Sequence, residues 1–215
     1  MPRPLPLAVL VSGTGTTLDA LALAIERGDP PAQIVAVVAD REGIAAAGVA
    51  ARHGLPYEVI PMRGPASAPG LLDARLRDAG VELVVLAGFK SILPAEFLRG
   101  WAGRVVNVHP ALLPRHGGRG QYGRAVYESI LAAGDRETGA TVHVVTAEVD
   151  AGPILLQDRF DLGPSETVET LQARTQALER PLLREAIRRF ATGEWPLPYE
   201  SGASARRSGR PPDRT

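Results

Sequence analysis

Cysteine is absent from this 215-residue chain, and the acidic and basic side chains balance, with 24 of each. Without thiols the chain cannot form disulfides, zinc–thiolate sites or a cysteine nucleophile, and nothing favours an oxidising compartment. The balanced charge produces no overall field that would attract nucleic acid or an anionic membrane. These absences favour a cytoplasmic protein whose partner is a small molecule.

Long apolar runs are missing as well. Prolines at positions 2, 4 and 6 interrupt the start of the chain, and the apolar run 7–11 is too short for a signal-peptide core or a membrane span. The chain is long enough for one domain with a sizeable core. We therefore predict a single domain over residues 1–196 and, because Pro, Ser, Gly and Arg dominate there, a disordered tail over residues 197–215.

The chain alternates between buried-strand patterns and helical patterns. Continuous apolar runs predict strands at residues 5–11, 34–39, 57–60, 83–87, 105–108, 141–145 and 154–160. Apolar residues at helical spacing predict helices from residue 18 until Gly28 and at residues 44–53, 71–78, 94–99, 124–133 and 167–190. This alternation predicts a single-domain α/β fold: a Rossmann-like, mostly parallel twisted sheet with helices on both faces.

Two local signals accompany the longest helical pattern, residues 167–190. Ser165 precedes it as a candidate N-cap. Pro181 lies within it and predicts a kink or a split, because proline lacks the backbone N–H that a helix interior uses. Elsewhere, residues 62–70 are rich in Pro, Gly and Ser and predict a loop.

A loop with two glycines, residues 13–17, follows the first predicted strand. Backbone N–H groups and hydroxyls at the start of a helix suit the binding of a phosphate. The alternative is a tight turn that needs glycine only for its torsion angles. Asp40, after the second predicted strand, adds the option of a dinucleotide site, or it caps the next helix.

The strand pattern at residues 105–108 leads into Asn107 and His109, which alternate with Val108. The side-chain period of a strand is two, so the amide and the imidazole project from the same face. Asp150 lies in a turn that can fold back beside this strand end. Such a set suits carbonyl chemistry, with Asn stabilising an oxyanion, His moving a proton and Asp raising the basicity of the imidazole. The alternative is a buried polar cluster without catalysis.

Two further observations narrow the chemistry. No serine or cysteine stands in a nucleophile-elbow motif, which favours direct attack by an amine or by water. The other three histidines receive no catalytic role: we expect His143 to bond a neighbouring backbone group and His53 to end a helix, and leave His116 open. Because no carboxylate cluster accompanies them, we predict no metal site.

Five short segments form a distinctive set: SGTGTT at residues 12–17, LAGF at 86–89, NVHPALLP at 107–114, GATVH at 139–143 and VDAGPI at 149–154. In order and spacing they resemble the folate-dependent phosphoribosylglycinamide formyltransferases of purine synthesis, over about residues 7–190. The resemblance implies the formyltransferase fold and transfer of a formyl group from 10-formyltetrahydrofolate, as co-substrate, to the amino group of glycinamide ribonucleotide. We expect a monomer or homodimer.

By position, the resemblance implies three groups of site residues. Asn107 and His109 would hold the tetrahedral oxyanion, with His109 as the proton donor and Asp150 raising its pKa. The ribonucleotide would be held at its phosphate and ribose by Gly15, Thr16, Thr17 and Glu179. The folate pocket would be lined by Lys90, Ser91, Ile92, Leu93, Thr146, Ala147, Glu148 and Val149, together with Asn107 and Asp150. For Glu179 the alternative is an exposed helix carboxylate.

The sequence departs from the resemblance at residues 116–123, HGGRGQYG, where many members carry Pro-Gly-x-His, so no contact is implied there. The nearest rival is formyltetrahydrofolate hydrolase, in which water is the acceptor; we expect that enzyme to need a segment before residue 5, and methionyl-tRNA formyltransferase a further C-terminal domain. A rival from another class is a nicotinamide-dependent oxidoreductase using Gly13, Gly15 and Asp40. It leaves the Asn, His and Asp set without a shared role. A non-catalytic nucleotide-binding module is the remaining alternative.

Overall fold

The computed structural model describes residues 3–62 and 69–200. Its strands are β1 (Leu5–Val11), β2 (Ala32–Ala39), β3 (Tyr57–Val59), β4 (Leu83–Ala87), β5 (Val105–His109), β6 (Glu137–Val144) and β7 (Ile154–Asp161). Its helices are α1 (Thr16–Glu26), α2 (Ala46–Arg52), α3 (Pro69–Asp78), α4 (Ala95–Gly100), α5 (Arg124–Ala133) and α6 (Val168–Ala191). Most of the loop predicted at 62–70 and residues 201–215 of the predicted tail lie outside the described residues.

The strands form one sheet in the order β3-β2-β1-β4-β5-β6-β7. Neighbouring strands from β3 to β5 are parallel, whereas β6 runs antiparallel to both β5 and β7. The predicted single-domain, mostly parallel α/β fold is therefore confirmed. The chain winds outward from β1 in one direction and then returns to place β4 on the other side of β1. Such a switch point is where doubly wound sheets open a ligand crevice.

Both faces of the sheet are covered, which explains the continuous apolar run of β1. Leu7, Val9 and Val11 pack into a core with helices α1, α2 and α6. Ala8 and Leu10 point to the opposite face, into a second core with α3 and α4. Every residue of β1 is buried, because a central parallel strand has no solvent face.

The last helix differs from its prediction at two points. The N-cap is Thr167, not Ser165: the Thr167 side chain accepts a hydrogen bond from the Thr170 N–H, and the Thr170 hydroxyl accepts one from the Thr167 N–H. Helix α6 also continues through Pro181 without a split. Leu183 and Ile187 are buried beyond the proline, so core packing maintains the helix despite the lost hydrogen bond.

His53 follows α2 directly, as predicted, but its side chain joins two helices. Its ring nitrogens lie 2.9 Å from the Asp19 carboxylate and 2.6 Å from the Glu26 carboxylate, both on α1. Hydrogen bonds to Asp19 and then Glu26 raise the pKa of His53. The histidine therefore links α1 to α2 and does more than interact with a helix dipole.

The chain beyond residue 197 remains packed as far as the structure describes it. Tyr199 donates a backbone hydrogen bond of 2.9 Å to the Gly103 carbonyl, and its ring meets Trp195 edge-on at 6.0 Å. The packed chain thus extends past the predicted tail boundary. No helix within residues 3–62 and 69–200 is both long and apolar enough to cross a membrane.

Candidate active site

A cleft of 1120 Å³ is bounded by the loops after β1, β4 and β6 and by one side of α6. Its walls include nearly every residue that the sequence analysis assigned to a site. They are Gly15, Thr16, Thr17, Lys90, Ser91, Ile92, Leu93, Asn107, His109, Thr146, Ala147, Val149, Asp150 and Glu179. Glu148 is the exception: it is exposed, and it does not line the cleft. The other four residues of the turn at 146–150 do line the cleft.

The loop at residues 13–17 lies along the cleft at the N-terminal end of α1. Gly15 adopts a left-handed conformation, with φ of 76°, and a Cβ atom there would lie 2.8 Å from the Cα of Ala46. The turn therefore requires glycine for its torsion angle and for the approach of α2. The same loop presents the positive end of a helix dipole, which favours an anion.

Asp40 does not cap the next helix, whose N-cap is Ala45. Its carboxylate accepts hydrogen bonds of 2.7 Å from the Ser91 hydroxyl and 3.1 Å from the Arg41 Nε. Burial acts to raise the pKa of Asp40, but hydrogen bonds from Ser91, Arg41 and Ser12 outweigh it and leave the pKa lowered. Asp40 therefore ties the loop after β2 to the loop after β4.

Asn107 is held by His143, a residue to which the sequence analysis gave only a structural role. The Nδ1–H of His143 donates to the Val144 carbonyl at 3.1 Å, as predicted, so its Nε2 can accept from the Asn107 Nδ2, also at 3.1 Å. Burial lowers the pKa of His143, which favours this neutral form. The contact fixes the orientation of the Asn107 amide and leaves its second N–H for a ligand.

His109 and Asp150 meet in the same wall. The His109 Nδ1 lies 3.6 Å from an Asp150 carboxylate oxygen, and the His109 Nε2 donates to the His116 carbonyl at 2.8 Å. Burial lowers the pKa of His109 and outweighs the opposing effect of the Asp150 charge. The predicted effect of Asp150, a rise in the pKa of His109, is therefore present but smaller than the effect of burial. The imidazole is neutral at neutral pH, with Nδ1 unprotonated.

Residues 90–93 provide a mixed polar and apolar wall. The Lys90 backbone N–H donates to the Ser12 hydroxyl at 2.8 Å, which joins the loops after β4 and β1. Leu93 is buried, whereas Ile92 is 48% exposed at the cleft. An exposed apolar side chain beside polar backbone suits a flat aromatic ligand.

Glu179 lies on α6 with 8% of its surface exposed, so the alternative of an exposed helix carboxylate was wrong. Burial raises its pKa to about 8, and the charge of Arg180 opposes this only partly. The carboxyl group is therefore mostly protonated at neutral pH in the free protein. In that form it can both donate and accept a hydrogen bond within the cleft.

This burial makes the stability of the free protein depend on pH. Unfolding returns Glu179 to its ordinary pKa of 4.5, so the unfolded chain releases the proton first. The free energy of unfolding is therefore highest below pH 4.5 with respect to this group and falls as pH rises toward about 8. We expect a loss on the order of 3 kcal/mol between pH 5 and pH 8.

Urea denaturation of Glu179→Gln across this range provides the measurement, since glutamine cannot lose a proton. The variant should show a much flatter pH dependence than the parent protein. Glu96→Gln is the matched control, because Glu96 is an exposed carboxylate on helix α4. Equal slopes in the parent and the Glu179→Gln variant would contradict the prediction.

Several residues of the cleft were not predicted from the sequence. Gln176 stands one helical turn before Glu179 on α6, and that spacing was the signal that could have identified it. Tyr127, on α5, is buried at the cleft, and its pKa is raised by burial and by the nearby Glu179. No spacing relates Tyr127 or His143 to the site, because the fold alone brings them there. In the described residues, no three His, Asp or Glu side chains are arranged as metal ligands.

A doubly wound α/β sheet, an anion-favouring loop and an Asn, His and Asp set around one cleft define a ligand-binding α/β protein equipped for carbonyl chemistry. Residues 5–187 match the formyl transferase family over most of the chain, and the protein belongs to that family. The match includes β1 through most of α6, and thus all of the cleft segments described above.

Named relatives agree with this assignment. The phosphoribosylglycinamide formyltransferase of Haemophilus influenzae is 34% identical over 210 residues, covering 94% of this chain and 97% of the relative. The solved phosphoribosylglycinamide formyltransferase of Coxiella burnetii superposes with a TM-score of 0.81 at 36% identity, covering 88% of each chain. The trifunctional purine biosynthetic protein adenosine-3 of Gallus gallus is 38% identical over 189 residues, or 86% of this chain. Against that longer protein, the chain spans only 18% of the length.

Proposed function

We propose that this protein transfers the formyl group of 10-formyltetrahydrofolate to the amino group of glycinamide ribonucleotide, a step of purine biosynthesis. The observation that carries the proposal is that Asn107, His109 and Asp150 share one cleft with the loop at residues 13–17. The full-length similarity to a phosphoribosylglycinamide formyltransferase supports the same reaction.

The substrates are assigned to separate parts of the cleft wall. We assign the ribonucleotide phosphate to Gly15, Thr16 and Thr17, where the dipole of α1 favours an anion. We assign the ribose to Glu179, whose protonated carboxyl group can donate a hydrogen bond to one hydroxyl and accept one from another. The folate is assigned to residues 90–93 and to the turn at 146–150 without the Glu148 side chain, because these segments combine apolar surface with backbone polar groups.

The reaction begins with attack of the substrate amine on the formyl carbon. A C–N bond forms, and the carbonyl oxygen becomes an oxyanion. The free N–H of Asn107, whose amide is oriented by His143, donates to that oxygen. Fixed donors of this kind stabilise the developing charge without reorganisation.

The proton then moves from the attacking nitrogen to N10 of the folate. Neutral His109 accepts it at Nδ1, since Nε2 already carries the hydrogen bonded to His116. The Asp150 charge, 3.6 Å away, stabilises the imidazolium formed in this way. His109 then gives this proton to N10, the oxyanion re-forms the carbonyl double bond as the bond between the formyl carbon and N10 breaks, and tetrahydrofolate leaves.

An assay of purified protein with 10-formyltetrahydrofolate, with and without glycinamide ribonucleotide, tests the proposal. We expect tetrahydrofolate and formylglycinamide ribonucleotide only when the ribonucleotide is present. Formation of tetrahydrofolate and formate at the same rate without the ribonucleotide would show that the protein is a hydrolase and not a transferase. A cytoplasmic location and a monomer or homodimer stay predictions from the sequence.

A further inference from the structure

The turn at His116, Gly117 and Gly118 contacts both members of the proton-transfer pair. The His116 carbonyl accepts the Nε2–H of His109 at 2.8 Å, and the Gly118 N–H donates to an Asp150 carboxylate oxygen at 2.9 Å. A Cβ atom at Gly117 would lie 2.5 Å from a methyl carbon of Leu113 and 3.3 Å from the Asp150 Cβ. The turn is thus packed closely against the two side chains that it binds.

The backbone of this turn has an uncommon conformation. His116 has φ of 52°, in the left-handed region that residues other than glycine rarely adopt. In this conformation the His116 carbonyl faces His109. Contacts of the surrounding residues must compensate for the energetic cost of the left-handed torsion.

The ring of His116 provides the compensation. Its Nδ1 lies 2.8 Å from the Ser129 hydroxyl, and its Nε2 lies 2.7 Å from an Asp135 carboxylate oxygen. Ser129 is on α5, and Asp135 follows the end of that helix. The Asp135 side chain is 7% exposed. Arg115 also pairs with Asp135, but 66% of the Arg115 side chain is exposed.

We propose that His116 and Asp135 are positioning residues, which hold the turn so that its carbonyl keeps the hydrogen of His109 on Nε2 and its N–H keeps Asp150 beside Nδ1. Neither residue is required to touch a substrate. The arrangement leaves Nδ1 as the nitrogen that exchanges the proton. The expected effect of this role on kcat rests on the proposed function, whereas the tautomer of His109 does not depend on that function.

Asp135→Ala tests the proposal, with Arg115→Ala as the matched control that removes only the exposed ion pair. We expect Asp135→Ala to lower kcat by about 10- to 100-fold through misplacement of the reacting groups, with KM for both substrates changed less than about threefold. Long-range ¹H–¹⁵N spectra of histidine-labelled protein at pH 7.5 give the second readout, since the four rings can be assigned by substitution. His109 should be an Nε2–H tautomer in the parent protein and in Arg115→Ala, and a mixture in Asp135→Ala.

Three results would overturn the proposal: parental kcat in Asp135→Ala, a lowered kcat with the His109 tautomer unchanged, or an equal loss in Arg115→Ala. If Asp135→Ala does not fold, His116→Asn decides by the same criteria. Asparagine accepts the left-handed conformation and keeps the carbonyl but removes the ring contacts. A parent protein without transferase activity would refute the proposed function, while the spectra would still decide the tautomer.

Discussion

Replacing His109 by alanine is expected to lower kcat for formyl transfer by about 10²- to 10⁴-fold, the usual contribution of a proton-transferring side chain. Among the described residues, no other neutral imidazole lies between Asp150 and the His116 carbonyl. Binding of the ribonucleotide should persist, because the loop at residues 13–17 does not depend on this ring. Steady-state kinetics combined with calorimetric titration of the ribonucleotide measure both effects.

His53→Gln provides the control, since His53 lies between α1 and α2 and does not line the cleft. The kcat of His53→Gln should equal that of the parent protein.

Asn107→Ala should lower kcat by about 10²- to 10³-fold, because the donor to the oxyanion is missing. The double variant should lose less than the product of the two, because both groups serve one transition state. An unchanged kcat in His109→Ala would show that another group moves the proton. His143, whose Nε2 lies 3.6 Å from an Asp150 carboxylate oxygen, would then be the candidate.

Gly139→Ala should destabilise the protein by more than about 3 kcal/mol, because a clash with backbone cannot relax as a side-chain clash can. A Cβ atom at Gly139 would lie 1.9 Å from the Asp158 carbonyl oxygen and 2.9 Å from the Cα of Arg159. Both neighbours belong to β7, which pairs with β6 at this point. Relief would require the two strands to separate, and the free energy of unfolding is measured by urea denaturation.

Gly48→Ala is the matched substitution at a position with free space. Gly48 lies inside α2, and a Cβ atom there would meet no other atom within 4 Å. Alanine lowers the conformational entropy of the unfolded chain, so this variant should be stabilised by up to about 1 kcal/mol. Equal stabilities of the two alanine variants would show that the β6–β7 contact at Gly139 is looser than described.

Much of the fold could be predicted because its signals are local. The continuous apolar run of β1 and the helical spacing of apolar residues in α5 are each visible within a short stretch of sequence. Helix α5 was predicted at its observed limits, Arg124–Ala133. Competing local signals were less reliable. Ser165 and Thr167 both suit an N-cap, and only the reciprocal bonds with Thr170 distinguish them. Core packing likewise decided that α6 passes Pro181.

The site was predictable only in part, for a related reason. The alternation of Asn107 and His109 and the glycines after β1 are short-range patterns. Asp150 was predicted from a turn that can fold back beside the end of the same strand, and the family resemblance supplied Glu179. Nothing near His143 in the sequence indicates that it orients Asn107, because that contact is created by the antiparallel pairing of β5 with β6.

The sequence by itself determined the alternation of strands and helices, the glycine loop and the placement of Asn107 and His109 on one face of a strand, because these depend on residues close together in the chain. Only the tertiary structure decided the protonation of Glu179 and the tautomer of His109. Burial sets the first, and a backbone carbonyl in the turn at residues 116–118 sets the second. Both depend on which distant atoms surround a group and exclude water from it, and neither property exists before the chain has folded.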